Sequence, residues 1–269
     1  MKKTILITGA STGIGKEVAL YFAKKGWHVA ATMRSPEKHS FKHTTIKKYK
    51  LDVTDQHSIK DTIQKVIQEL GSIDVIVNNA GYGALGIFEK ATTEQIQKQF
   101  EVNVFGVMNV IRHTLPHFKK KKAGLIINIS SMAGLLGIPM YSVYHGSKWA
   151  LEGFTESLQF ELQPFNIQVK NVEPGAIKTD FYTRSQEVFT NESIKGYDTY
   201  EAIIKGVIKK TGETAPGPKT VAEVVYKAAT DGKNRLRYPV GKKIWSLLLA
   251  KKLLPNRVFF FIVKQMMRR

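Results

Sequence analysis

TILITGASTGIGKEVALYF, residues 4–22, passes from strand through a glycine-rich turn to helix. The short apolar run Thr4–Thr8 stops at a glycine, which suits a buried strand. From Gly13 to Lys25 the spacing changes, and Ile14, Val18, Ala19 and Phe22 fall on one face of a helix. Between them stands TGASTGIG, residues 8–15. Gly9 permits a tight turn, Gly13 lets the backbone approach a ligand, and Gly15 lets the helix pack onto the strand. The first N–H groups of that helix lack partners and carry the positive end of its dipole, an arrangement that favours a pyrophosphate. Alone, a glycine triplet is only a turn. At the head of a strand–turn–helix it reads as a dinucleotide site.

The alternation continues outward. His28–Met33 and Ile46–Leu51 read as the second and third strands, and Ile73–Val77, Leu125–Ser130 and Ile167–Val172 as the fourth to sixth. Asp55–Leu70 carries Ile59, Ile63, Val66, Ile67 and Leu70 on one stripe, and Gly71 stops it. Longer helical segments are expected over 93–119 and 142–163. Strand alternating with helix implies parallel strands joined by right-handed crossovers. The expected fold is therefore α/β, a Rossmann-like doubly wound parallel sheet over residues 1–241, with a C-terminal helical extension over 242–269. Residues 180–218 are poorer in strand signal, carry Phe181, Tyr182, Phe189, Tyr197 and Tyr200, and end in the stiff turn Ala215–Pro218. A lid over a site and a peripheral helical pair with its own small core are both open readings of this segment.

Composition excludes several classes. The chain has 269 residues, long enough to bury a large core without staples, and a single domain of this size is ordinary. With no cysteine, a disulfide framework, a thiolate metal site and a cysteine nucleophile are ruled out. At 43% hydrophobic and 23% charged residues it reads as globular rather than disordered. No apolar run reaches the roughly 18–20 residues of a spanning helix. The N-terminal apolar run is broken at Thr8 and Gly9, so it does not read as a signal peptide, and a cytoplasmic protein is expected. No His, Asp and Glu cluster has metal-ligand spacing, and no metal is expected.

The second strand bears on which dinucleotide. An acid at its end would bind a ribose 2′-hydroxyl and repel a 2′-phosphate, but none follows Met33. Arg34 follows instead, with Ser35 and Lys38 nearby, and a guanidinium fork suits a phosphate. NADP is favoured over NAD; Arg34 stacked on adenine, or simply solvated, is the other reading.

The residues suited to chemistry come later. Tyr144-His-Gly-Ser-Lys148 lies near a helix start, and the i, i+4 spacing puts phenol and ammonium on one face. An ammonium beside a phenol lowers its pKa from about 10 and makes it a usable acid and base. Ser131 lies thirteen residues earlier, just past the fifth strand, at the end of a parallel sheet where ligands bind. Asn103 starts a helical segment in NVFG, Asn78-Asn79-Ala80-Gly81 follows the fourth strand, and PGAIKT, 174–179, follows the sixth. Ser130 competes with Ser131, but spacing to Tyr144 favours Ser131 and leaves Ser130 a local cap. For Asn103 a plain helix N-cap is the other reading. His145 reads as a wall residue rather than a base.

TGASTGIG, LDV at 51–53, NNAG, NVFG, Ser131, YHGSK and PGAIKT stand in order, and with them the chain resembles the short-chain dehydrogenase/reductase family in its standard-length, single-domain form over about residues 3–240. The resemblance implies roles. Tyr144 would give or take the proton of the substrate oxygen. Lys148 would lower its pKa and bond the nicotinamide ribose, and Ser131 would hold the substrate oxygen. Asn103 would hold a helix kink and a water on the proton path. Gly9, Ser11, Thr12, Gly13, Ile14 and Gly15 would form the phosphate turn, with Asp52 and Val53 at the adenine. Asn79, Ala80 and Gly81 would line the cofactor, while Pro174, Gly175, Ile177 and Thr179 would face the nicotinamide end. The stretch NNAGYGALGIFE resembles a branch acting on steroids, retinoids and other apolar carbonyls or alcohols. Met132, Leu135, Leu136, Met140, Tyr141 and the aromatic segment would make the pocket apolar. A homodimer or homotetramer through the two long helices is implied as well.

The formal charge is +19, and after Asp231 there are eleven basic residues and no acidic one. Lys242–Arg269 is divided by Pro255 into two apolar helical pieces flanked by Lys and Arg. Packing of Trp245, Leu248, Leu249, Phe259 and Phe260 on the sheet or another subunit is favoured, and contact with a membrane surface is the alternative. No nucleic-acid partner is expected, for want of a recognition motif. The expected function is NADP-dependent interconversion of a carbonyl and a secondary alcohol on an apolar small molecule. A dinucleotide-binding regulator without turnover is the alternative.

Overall fold

The structure is a computed structural model and describes residues 2–179 and 186–266, with 242–245 and 266 described by backbone alone. Phe181 and Tyr182 lie outside the described residues, as does the side chain of Trp245. The first half runs β1 (Thr4–Ile7), α1 (Gly13–Lys24), β2 (His28–Met33), β3 (Ile46–Lys50), α2 (Gln56–Leu70), β4 (Val75–Asn78), β5 (Gly83–Leu85), α3 (Thr93–Phe100) and α4 (Gly106–Lys121). The second half runs β6 (Gly124–Ile129), α5 (Ser142–Leu162), β7 (Ile167–Pro174), β8 (Gln186–Val188), α6 (Asp198–Glu213), α7 (Lys219–Thr230), β9 (Arg237–Val240), α8 (Lys242–Leu253) and α9 (Asn256–Met266).

Seven parallel strands form one sheet in the order β3-β2-β1-β4-β6-β7-β9. The chain builds outward from β1 to β3, then returns to β1's other side as β4. That reversal opens a crevice at the strands' carboxyl ends, where ligands of such sheets bind. The core lies in two layers, and the period-2 pattern assigns the residues. Ile5 and Ile7 face α1 and α7, where Val18, Phe22, Val221 and Val225 are buried. Leu6 faces the other layer, with Ile59 and Ile63 of α2, Val110 and Phe118 of α4 and Leu151 of α5. Covered on both faces, the central strands read as unbroken apolar runs. Each large side chain so buried contributes about 1.5–3 kcal/mol.

Local chemistry sets the element ends. The Asp55 carboxylate accepts from the N–H groups of His57 and Ser58 at 2.9 and 3.1 Å and starts α2, and Gly71 ends it at φ 80°. One predicted helix differs in form. The segment expected over 93–119 is helical over 93–121, but a π-helical turn at Glu101–Phe105 interrupts it. Asn103 is inside that turn, so it is not an N-cap and does not start a helix. The small parallel pair β5–β8 has no counterpart in the sequence reading, since three-residue strands carry too little periodicity to register. Its register, Gly83 opposite Gln186 and Leu85 opposite Val188, pins the residues before α6 against the rim of the crevice.

Candidate active site

The glycine-rich turn is crowded on one side and open on the other. Gly9 adopts φ +65°, and a Cβ there would stand 2.8 Å from the Ala80 Cα. Gly13 adopts φ +54°, where L side chains are strained. At Gly15 a Cβ would lie 2.4 Å from both the Asn79 amide nitrogen and the Gly9 carbonyl. So Gly15 is demanded by the folded turn itself and by the end of β4, more than by helix–strand packing. Asn79 ties the two loops together: its Nδ2 donates to the carbonyls of Thr8 and Gly9, each at 3.0 Å. The Thr8 hydroxyl oxygen accepts from the N–H groups of Asn79 and Ala80, also at 3.0 Å.

A cleft of about 980 Å³ opens above this turn. Gly9, Ser11, Thr12, Gly13 and Ile14 line it from the turn, Arg34 from the end of β2, and Asp52 and Val53 from the loop after β3. Asn79, Ala80 and Gly81 line it after β4, and Pro174, Gly175, Ile177 and Thr179 after β7. Gly15 lies behind this wall. The site's chemistry fits a dinucleotide. Thr12 makes no side-chain cap bond to α1 and no acidic residue stands in its first turn, which leaves the helix start free for an anion. Arg34 is exposed at the cleft edge, with no ion-pair partner among the described residues. Asp52 is held in place, accepting from the N–H and hydroxyl of Thr54 at 3.0 and 2.8 Å.

At the other end of the cleft stand Ser130, Ser131, Tyr144 and Lys148. Tyr144 and Lys148 sit one turn apart on α5, with the Lys148 ammonium 5.9 Å from the Tyr144 ring centre. Lys148 is buried, and its Nζ donates to the Ile129 carbonyl at 2.9 Å. Burial pushes its pKa down to about 8, against the opposing pull of Glu152 one turn on. The serines exchange one expected duty. Ser131 makes the local cap, accepting from the Ala133 N–H at 3.1 Å and donating to the Pro174 carbonyl at 3.3 Å. Ser130 is buried, and its hydroxyl has no hydrogen-bond partner among the described residues. Ser131 is the more exposed of the two residues.

Asn103 does not line the cleft. It is buried, its Nδ2 donating to the Tyr82 carbonyl at 3.0 Å and the Ser147 hydroxyl at 3.2 Å, and its Oδ1 accepting from the Tyr82 N–H at 3.2 Å. Ser147 in turn donates to the Tyr144 carbonyl at 2.7 Å, so Asn103 braces the turn of α5 that carries Tyr144. His145 is a buried wall residue. Its Nδ1 lies 2.7 Å from the Ala133 carbonyl, and burial lowers its pKa.

The wall beyond Tyr144 is apolar. Met132, Leu136, Ile138 and Tyr141 line it, but Leu135 and Met140 do not. Met140 packs instead with Leu85, Ile87 and Ile204, and Leu135 gives its carbonyl to the Lys251 ammonium. The expected aromatic wall is aliphatic among the described residues. Ile204, Val207 and Ile208 of α6 line the cleft, whereas Phe189 and Tyr197 pack in neighbouring clusters and Tyr200 is exposed. The 3.6 period of α6 could have revealed these positions. Leu247 of α8 and Val263 of α9 also reach the cleft, as do Lys98 and Glu187, and nothing in the sequence pattern announced them. Of the tail residues expected to pack, Phe259 is buried and Leu248 half-buried, but Leu249 and Phe260 are exposed.

Comparison with known proteins shows the family. The family model for short chain dehydrogenase matches residues 3–188. An uncharacterized oxidoreductase of Bacillus subtilis, YusZ, is 39% identical over 98% of both chains. A 3-ketodihydrosphingosine reductase of Bacteroides thetaiotaomicron is 34% identical over 97% of this chain and 96% of its own. The solved structure of ElxO with NADP bound superposes with a TM-score of 0.74 at 30% identity, covering 91% of this chain and all of that one. Other chains of the same fold have been solved with NAD or NADH. With its sheet order, its glycine turn and its Tyr144–Lys148 pair, the chain belongs to the short-chain dehydrogenase family, as an NAD(P)-dependent oxidoreductase.

Proposed function

We propose that the protein uses NADP to interconvert a carbonyl and a secondary alcohol on an apolar small molecule, with Tyr144 as the acid and base. The observation that carries this reading is the single cleft that joins the glycine turn and Arg34 at one end to Ser131, Tyr144 and Lys148 at the other, under an aliphatic wall. When bound, the reduced nicotinamide supplies a hydride. The chain supplies the rest. The Ser131 hydroxyl holds the substrate oxygen, and Tyr144 gives it a proton, a step worth about 10²–10⁴-fold in rate. The buried Lys148 ammonium favours the phenolate left behind. Asn103, through Ser147, keeps the tyrosine's helical turn in place. Asp52 and Val53 would meet the adenine, Asn79, Ala80 and Gly81 would line the cofactor, and Ile177 and Thr179 would orient the nicotinamide.

Arg34, with no ion-pair partner among the described residues and no acid beside it on β2, is the basis for NADP over NAD. The Bacteroides relative is named as a reductase of a 3-keto compound, which supports a ketone substrate and the reductive direction. Ile204, Val207 and Ile208 give α6 the part of a lid over that substrate. Pairing of copies through α4 and α5 fits the exposure of Phe105, just before α4, and of Phe160 on α5. The test is NADPH oxidation with a panel of ketones and aldehydes of rising chain length. Turnover that rises with apolar length supports the reading, and no turnover of any carbonyl or of the matching alcohols contradicts it.

A further inference from the structure

We propose that α8 and α9 dock the protein on an anionic lipid bilayer, from which the apolar substrate enters the cleft. The docking stands on the surface alone, while the delivery rests on the carbonyl–alcohol reading above. Each of the two helices has two apolar sides. Inward, Leu247 and Val263 line the cleft and Phe259 is buried. Outward, Leu249, Leu253, Phe260 and Phe261 are each at least half exposed, at 55, 70, 53 and 60%. Scattered exposed apolar residues are ordinary, but four large ones on two consecutive helices that touch each other are a concentration of the kind that marks a contact. On α9 the two sides follow from geometry, since Phe261 lies about 200° around the helix from the buried Phe259.

Charge decides the occupant. Lys252, Arg257 and Lys264 are exposed among these residues, and no acidic residue follows Asp231. A second copy of the same face would set basic residues against basic residues, with no carboxylate from either tail to pair them. Anionic headgroups complement that charge, and acyl chains take the phenyl rings. At about 1.5 Å per residue, the 12 residues of α8 and 11 of α9 are far shorter than the hydrocarbon core. No helix among the described residues is long and apolar enough to cross a membrane, so the pair would lie flat. The tail leaves the sheet at Val240, the carboxyl end of β9 and the same end of the sheet as the cleft. The helices that would touch lipid are therefore the ones that line the substrate wall.

The experiment is flotation of the full chain with phosphatidylcholine vesicles, with and without phosphatidylglycerol. The protein should float with the anionic vesicles and be released by salt. The variants F260S/F261S and, separately, K252E/R257E should bind about tenfold more weakly. Both should keep wild-type turnover of a short, water-soluble carbonyl compound, and lose about tenfold on a long-chain ketone held in vesicles. A wild type that stays behind, or a phenylalanine variant that only breaks up an oligomer in sedimentation, overturns the docking. Equal loss on both substrates overturns the delivery. If no carbonyl is turned over at all, the reading of the cleft fails while flotation still decides the docking.

Discussion

The Lys148 ammonium donates to the carbonyl of Ile129 at 2.9 Å, joining the second turn of α5 to the last residue of β6. The bond fixes the cation at the carboxyl end of the sheet, one helical turn from Tyr144, and removes it from water. Burial there lowers its pKa to about 8. A lysine with a lowered pKa is charged below that value and neutral above it. Carbonyl reduction should therefore decline as pH rises through about 8, when the ammonium that favours the phenolate is lost. Lys148→Arg, whose guanidinium stays charged, should work more slowly but without this alkaline limb. Rate–pH profiles of the two proteins check this, and a wild-type profile flat across that range would contradict it.

On the proposed reading, Arg34 at the cleft edge separates the two nicotinamide cofactors. Arg34→Ala should raise the KM for NADPH by about ten- to a hundredfold, the worth of one charge-assisted phosphate contact. The KM for NADH should move about twofold at most. Equal effects on both would give Arg34 to the adenine ring instead of the phosphate.

A methyl group at Gly15 would meet the Asn79 amide and the Gly9 carbonyl at 2.4 Å. Relief requires the turn to shift or the Asn79 bonds to Thr8 and Gly9 to break. Gly15→Ala should lose about 1–3 kcal/mol of stability, as overpacking does, and bind NADPH more weakly. Urea unfolding and a fluorescence titration read the two effects. Wild-type values in both would mean that the turn has slack the geometry denies.

Much of this was legible from residue order. The buried strands stood out because both faces of the sheet are covered, leaving runs such as Ile5-Leu6-Ile7 without a polar break. The glycine-rich turn and the placing of Tyr144 and Lys148 one helical turn apart were legible because both are set by short spacing along the chain. What escaped depends on distance through space. The cleft contacts of Leu247 and Val263 arise only because the tail folds back over the carboxyl ends of the strands. Asn103 looked like a helix start because a π-turn leaves no mark in the hydrophobic period. Leu135 and Met140 looked like pocket residues, but the short helical turn at Met132–Gly134 and the left-handed backbone of Met140, φ 63°, aim them elsewhere.

Glu173 of β7 is fully enclosed, 3.3 Å from Arg237, and burial together with the nearby Glu152 pushes its pKa up to about 8. A carboxyl raised in the folded state costs nothing below its ordinary unfolded value, and stability falls as pH climbs from there toward about 8. Glu173→Gln removes that penalty, while Arg237 keeps Glu152 at 3.2 Å and Glu156 at 2.9 Å. The variant should be more stable than wild type near pH 8, on the order of 2 kcal/mol, with the difference vanishing near pH 5. Denaturant midpoints at both pH values test the sign, and a loss of stability at both would show that the carboxylate is a net support.

On the proposed mechanism Tyr144 moves the proton. The direct measurement is the kcat of Tyr144→Phe for NADPH-dependent ketone reduction, alongside its NADPH affinity by fluorescence titration. Removing one hydroxyl from the half-buried Tyr144 should leave the fold and the glycine-rich turn intact. We predict a kcat lower by about 10³-fold or more with NADPH affinity within about twofold of wild type. A variant that keeps kcat within about tenfold of wild type would contradict the account.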